Sequence, residues 1–434
     1  MKFSLTNIGK IAQADIEING LTVLGGYNDI GKSTIGKVIF SVIKTISDIN
    51  QEIREAIKEQ LEQEFADFYV KIRKIIGEFD LSTLRSVIIS VEPDDFDKNL
   101  DVLIERLRTA SISAIRKNLN RIKTTHSEDE SIEIEIEKID RLLISLQTNL
   151  ERILNPEQRE FYEKVFNRIN RSLFRGDIQN KQIPSGVKSS ILIEDLSCQI
   201  KINLENNSSK DFSIDGEFPF QNVTLVDSPL VLGWSSSVEI PRSRVRNVFG
   251  HYIFDLLNKM RLSTADSYNV VSDAQQKLVS KISVVVGGQM YYDRERRDFV
   301  FQQKDMAVQL VNLASGIKTF GIIQMLLTGG MIAPNTVLII DEPEAHLHPE
   351  WQLKYAEVLT QLVDMGVYVL VSTHSPYMIK ALKHYSEKLQ QEKITNFYLG
   401  NPSEHGTIFT EVTQDLNPLF KLLAMPMQRL AFED

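Results

Sequence analysis

The chain has a single cysteine, Cys198, in 434 residues. A lone thiol excludes an internal disulfide, and such sparse cysteine use points to a reducing compartment. No apolar run approaches the roughly 18 residues needed to cross a bilayer. The first residues also lack the charged-then-apolar order of a secretory signal. No membrane association is expected, and the cytoplasm is the expected location. A surplus of positive charge is missing too: 49 Lys and Arg stand against 58 Asp and Glu, a net charge of −9. That excludes wholesale coating of nucleic acid, although a local basic groove would survive it. The remainder is an ordinary globular composition, 42% hydrophobic and 25% charged. The chain is longer than single cores usually grow, so two or three structural units are expected.

One stretch, residues 336–351 (TVLIIDEPEAHLHPEW), organises the reading. Val337 to Ile340 form a continuous aliphatic run, the pattern of a strand buried on both faces. Asp341 and Glu342 follow at its carboxyl end, where open parallel sheets bind ligands. Pro343 stops the strand. Near the other end of the chain, Leu21 to Leu24 form a short apolar strand that runs into Gly26-Tyr27-Asn28-Asp29-Ile30-Gly31-Lys32-Ser33. This octapeptide matches G-x-x-x-x-G-K-[ST] at every fixed position. Glycines let the backbone curl so that successive N–H groups face phosphate oxygens. Lys32 would reach the β- and γ-phosphates, and Ser33 would place its hydroxyl on Mg²⁺. Ile35, Val38, Ile39, Val42, Ile43 and Ile46 then recur at helical spacing, so a helix N-terminus beginning near Thr34 points at the phosphates.

From about residue 51 to 176 the period becomes helical. Ile53, Ile57, Leu61 and Phe65 share one face, a second stripe begins at Leu103 and Leu107, and residues 139–153 approach heptad spacing. Phe161, Val165, Ile169 and Leu173 continue as another helix. Breaks are expected at 91–95 and 124–131. The period then returns to two. Strands are expected over 190–196, 199–204 and 212–214, with Asn206 to Ser209 as a turn, and Val223 to Val226 reads as a core strand ending at Asp227 and Ser228. Both of those residues are candidates to reach toward the metal and the attacking water. Arg242, Arg244 and Arg246 alternate, as a phosphate patch or a solvated loop would. Residues 256–260 and 274–285 read as helices, and Met290-Tyr291-Tyr292 is expected to pair with Phe299-Val300-Phe301. Ser315 and Gly316 open a helix, either as an ordinary serine cap or as an anion site at its dipole end. His346 and His348 are not read as zinc ligands, because no cysteine or third ligand lies at suitable spacing. After His374 about sixty residues remain, with a short closing helix expected between Pro418 and Pro426.

The order of phosphate loop, helical insertion, Ala314-Ser315-Gly316-Ile317-Lys318, Asp341-Glu342-Pro343-Glu344-x-His346-Leu347-His348-Pro349 and Ser372-Thr373-His374-Ser375-Pro376 resembles the ABC-type ATPases. It resembles in particular the branch containing RecF, the SMC proteins and the OLD ATPases. Within that branch it is most similar to stand-alone bacterial ATPases of antiphage systems, such as the Septu and retron-associated subunits. The resemblance implies an α/β fold, an ABC-type P-loop ATPase with a mixed sheet and a large α-helical insertion. The ATPase lobe would comprise residues 1–50 and 187–434, and the insertion residues 51–186. It implies that Gly26, Asn28, Asp29, Ile30, Gly31, Lys32, Ser33 and Thr34 hold ATP, and that Ser33 and Asp341 serve Mg²⁺. Glu342 would polarise the attacking water, and His374 would sense the γ-phosphate. Ser315 and Gly316 would contact the γ-phosphate held by a second protomer, in a head-to-tail dimer. The implied function is an ATPase that controls a partner effector, a nuclease, in antiphage defence. The alternative is a RecF- or SMC-like DNA-binding ATPase of repair or chromosome maintenance, with nucleic acid as its partner. A transporter subunit is disfavoured by the long insertion. Three departures stand out: Ile317 and Lys318 replace the usual glycine and glutamine, and Asp29 replaces a common glycine, which makes slow turnover credible. OLD nucleases carry a Toprim nuclease domain after the ATPase, and the residues after His374 leave little room for one. Any cutting would therefore fall to a partner.

Overall fold

The computed structural model describes residues 1–49, 158–183, 187–232, 251–269, 271–304 and 306–431, with scattered helical positions between 53 and 153. The breaks expected at 91–95 and 124–131, the stripe at Leu103 and Leu107, and the three arginines at 242, 244 and 246 lie outside the described residues. The chain forms two compact units, Met1–Ser47 with Tyr162–Asp434, and Asp48–Phe161. In the second unit the described positions are helical. Ile57, Leu61 and Leu146 are buried there, and Asn149 Nδ2 donates to Glu64 Oε1 at 2.7 Å, which brings two distant helical stretches side by side.

The first unit is built on strands β1 (Lys2–Ile8), β2 (Ile11–Glu17), β3 (Leu21–Gly25), β4 (Ser189–Glu194), β5 (Cys198–Glu205), β6 (Ser208–Gly216) and β7 (Asn222–Val226). These are followed by β8 (Gln289–Asp293), β9 (Asp298–Gln303), β10 (Met306–Gln309), β11 (Thr336–Asp341), β12 (Tyr368–Thr373), β13 (Thr395–Ser403) and β14 (Gly406–Glu411). Among the described residues eleven of them make one sheet, in the order β6-β5-β4-β1-β2-β14-β13-β3-β12-β11-β7, and β10-β9-β8 make a second. The sheet is mixed. The run β6-β5-β4-β1-β2 is antiparallel, whereas β13, β3, β12, β11 and β7 are parallel neighbours. Asn206 and Asn207 both take positive φ, so the β5–β6 turn has two residues and Glu205 pairs directly with Ser208. The Met290–Phe301 pairing occurs as the alternation predicts.

The parallel half reads as continuous aliphatic runs because both of its faces are covered. On β11, Leu338 and Ile340 join the main core. Ile339, on the opposite face, lies so close to α1 (Lys32–Ser47) that a Cβ at Gly36 would stand 3.0 Å from it. The helices that follow are α2 (Gln158–Phe174), α3 (His251–Met260), α4 (Asp273–Val286), α5 (Ser315–Thr328), α6 (Pro349–Asp364), α7 (Pro376–Lys388) and α8 (Asn417–Ala431). Buried residues of α3 to α7 form one core with β3, β11 and β12, in which Phe320 meets Trp351 and Tyr355 edge to face. Strand β7, expected as a core strand, is the sheet's edge; its side chains are buried, which is all that its apolar pattern encodes. The opposite edge, β6, is closed by α2. Ser209 N donates to Asn167 Oδ1 at 2.6 Å and Phe212 N to Glu163 Oε1 at 3.3 Å, which removes donors that another strand could use. One expectation fails at the end of the chain: α8 runs through Pro426 rather than stopping before it.

Candidate functional site

Four parallel strands deliver polar groups at their carboxyl ends. β3 leads into the phosphate loop, β7 ends before Asp227, β11 ends at Asp341, and β12 ends at Thr373, just before His374. Register fixes their spacing. Asp341 pairs with Ser372, Thr373 pairs with Gly25, and Val226 pairs with Ile340, so Asp227 arrives beside Asp341.

In the loop, Gly26, Asp29 and Gly31 all take positive φ (144°, 66° and 97°). A Cβ at Gly26 would meet Ile30 Cδ1 at 2.4 Å, so only glycine permits the turn there. Ile30 is buried and anchors the loop, while Tyr27, Asn28 and Asp29 are exposed. Lys32 is buried, and its Nζ donates to Gly26 O (3.1 Å) and Tyr27 O (2.7 Å). Burial pulls the Lys32 ammonium below its ordinary pKa against the opposing pull of Glu342, Asp341 and Glu344. An anion arriving beside it would favour the charged form. Ser33 and Thr34 occupy the first turn of α1, where backbone N–H groups lack intrahelical partners. Asp29, Gly31, Lys32, Ser33, Thr34 and Glu342 line one cleft of ≈ 410 Å³.

The acidic wall is ordered by hydrogen bonds. Ser372 Oγ donates to Asp341 Oδ1. Glu342 takes φ 47°, a conformation that costs a non-glycine residue roughly 1–2 kcal/mol, and its N–H donates to Ser372 O at 2.8 Å. Such strain is characteristic of functional positions. His374 Nδ1 lies 3.5 Å from Glu342 Oε1 and 3.3 Å from Glu344 Oε1. Asp227 accepts a hydrogen bond from the Tyr252 hydroxyl. Burial raises the Asp227 pKa and Asp341 adds to the rise, while Tyr252 and Lys37 oppose it. Burial, followed by the Asp227 charge, pushes the Tyr252 phenol far above its usual range.

Ser315 and Gly316 stand apart from this cleft, whose lining includes neither. Ser315 is not the helix cap. Ala314 is, and it makes no side-chain cap hydrogen bond. Gly316 is needed for packing: a Cβ there would sit 3.1 Å from the Trp351 ring and 3.2 Å from Leu347. His348 does cap α6, accepting from Glu350 N at 3.3 Å. Tyr252, Ser372 and Glu344 escaped the sequence reading as site residues. Glu344 and Ser372 left a signal, their places inside the two later motifs, and Tyr252 left none.

Comparison with known proteins gives a family and several similar chains. A family model described as "AAA domain, putative AbiEii toxin, Type IV TA system" matches residues 21–380. The Old nuclease of Escherichia phage P2 is 42% identical over 62 residues, which cover 14% of this chain and 10% of that protein. The chain thus spans about a tenth of that relative's length. Among solved structures, an SMC head bound to the C-terminal winged-helix domain of ScpA is 11% identical with a TM-score of 0.44, covering 97% of this chain and 98% of that one. The SMC head domain from Thermotoga maritima is 10% identical with a TM-score of 0.40, covering 95% and 98%.

Proposed function

The chain belongs to the AAA-domain family matched over residues 21–380, and on that premise we propose that it binds ATP with Mg²⁺, hydrolyses it, and uses the cycle to control a partner effector in antiphage defence. The observation that carries the reading is the shared cleft, in which Lys32, Ser33 and Glu342 face one space. The residues fit a nucleotide: a buried ammonium whose hydrogen bonds, among the described residues, go to backbone carbonyls is ready to exchange them for phosphate oxygens. Mg²⁺, when bound, neutralises charge on the β- and γ-phosphate oxygens. Ser33 and Asp341 would hold it, with Ser372 fixing the Asp341 carboxylate. Lys32 binds the phosphates, Glu342 polarises the attacking water, and His374 faces the γ-phosphate. Catalysis on this reading is positioning and charge stabilisation, without a covalent intermediate.

The N-terminus of α5, without a capping side chain and outside the cleft lining, supports a head-to-tail homodimer in which Ser315 and Gly316 complete the site of a second copy. The defence role is supported by the family's description, which names a toxin of a type IV toxin–antitoxin system, and by the phage nuclease relative. A nuclease is the effector class that this relative suggests.

Glu342→Gln tests the chemistry. ATP binding should persist, hydrolysis should fall at least about a hundredfold, comparable to losing one transition-state contact, and a dimer should accumulate with ATP in analytical ultracentrifugation. Unchanged turnover would remove Glu342 from its role.

A further inference from the structure

Two carboxylates approach His374 Nδ1, and they differ in character. Glu342 is 38% exposed and sits on a strained backbone, whereas the Glu344 side chain is 5% exposed. Glu344 Oε1 accepts three hydrogen bonds from the end of β12: Thr373 Oγ1 at 2.7 Å, His374 N at 2.7 Å and Ser375 N at 3.1 Å. Ser375 is held in addition through its Oγ, which donates to Gln352 Oε1 at 2.6 Å and, as the cap of α7, accepts from Met378 N at 3.3 Å. A carboxylate with this many donors keeps one position. The histidine ring is 41% exposed, yet its Nδ1 is buried and forms no hydrogen bond, with Glu344 Oε1 only 3.3 Å away. The exposed part of the ring therefore lies away from Nδ1. Catalytic hydrogen bonds are often long before the substrate arrives and tighten with it.

The geometry points to Glu344 as the positioning residue of the site: it fixes the backbone of His374 and accepts a hydrogen bond from Nδ1–H, which leaves the lone pair on Nε2. Glu342 is thereby left to serve water. The division follows the logic by which a buried carboxylate sets the tautomer of a working histidine.

This inference rests on the ATPase reading for its kinetic consequence, but not for its tautomer. The experiment compares the wild-type full chain with Glu344→Gln, a substitution that keeps the size and an acceptor oxygen while removing the charge. Long-range nitrogen–proton NMR on histidine-labelled protein, with His374→Ala to assign the signal, reads the tautomer directly. The neutral ring should carry its hydrogen on Nδ1 in the wild type and shift toward the Nε2–H form in Glu344→Gln. In parallel, kcat for ATP should fall about tenfold or more, as for loss of an outer-shell partner, while the dissociation constant for a fluorescent ATP analogue stays within about twofold. An unchanged tautomer in a folded Glu344→Gln protein would overturn the proposal, whatever the kinetics. If the tautomer shifts in a wild-type protein that does not hydrolyse ATP, the ATPase reading fails and the positioning role stands. Should Glu344→Gln fail to fold, Thr373→Val removes one of the three donors and leaves the carboxylate. The Nδ1–H form must persist in that variant, and its loss would mean that the turn, not the carboxylate, sets the tautomer.

Discussion

Helix α1 has a lysine–aspartate cluster near each end, and the two could hardly differ more. At the phosphate loop, Lys10 pairs with Asp29, with side chains 50% and 79% exposed. In the last turn, Lys44 Nζ meets Asp255 Oδ1 at 2.6 Å, and Lys259 Nζ meets Asp255 Oδ2 at 2.7 Å, with all three side chains at least nine-tenths buried. Lys259 also donates to Val223 O (2.5 Å) and Thr224 Oγ1 (3.1 Å). The inner cluster thereby joins α1, α3 and β7, the elements that bring Lys32, Tyr252 and Asp227 to the site. The same residue types serve a local, solvent-screened contact at one end and a structural junction at the other. Burial decides which.

The largest effect expected is that of Asp255→Asn, which takes away the charge both ammonium groups face. It should cost about 3–5 kcal/mol of stability in urea unfolding, the range for breaking a buried ion pair. The pH dependence has a definite sign. Burial would raise the Asp255 pKa, but Lys259 and Lys44 outweigh it and the carboxyl ends below its ordinary value. Its contribution is therefore complete above the unfolded value of about 3.9 and is lost as pH falls through the lower folded value. The stability gap between wild type and Asp255→Asn should accordingly narrow on acidification below about pH 4. A gap independent of pH would contradict the junction. Next comes Tyr252→Phe, one turn away on α3. Losing the hydrogen bond to Asp227 should cost about 1.5–3 kcal/mol, measured in the same way. Asp29→Asn should be the mildest, changing stability by less than about 1 kcal/mol, as exposed pairs do. Asparagine tolerates the positive φ at that position. A large loss there would erase the contrast between the two ends of the helix.

The parts of the site that depend on short-range chemistry were legible in the sequence. The glycine-rich octapeptide stands between a strand and a helix as the sequence predicts, and the carboxyl end of β11 announced Asp341 and Glu342. The Asn206-Asn207 turn declared itself because asparagine accepts positive φ. Long-range partners were not legible. That Asp227 stands beside Asp341 follows from β7 pairing with β11 across more than a hundred residues, which no local pattern records. The strands β13 and β14 were missed behind a reading that saw only a closing helix. Of the two readings left open for Ser315, the ordinary cap falls, because Ala314, a residue with no capping group, occupies that position. Continuation of α8 through Pro426 has no physical account here.

The position of those two missed strands carries a consequence for how the protein is made. In the sheet, β2 and β3 are neighbours in sequence but not in space; β14 and β13 lie between them. Gly25, the last residue of β3, pairs with Leu399, and its missing Cβ makes room for Leu419 of α8. In a chain folding before residues 395–419 are in place, β2 and β3 would each keep an open strand edge. Truncation upstream of residue 395 should leave the phosphate loop attached to a sheet split in two, with edges ready to pair with other chains.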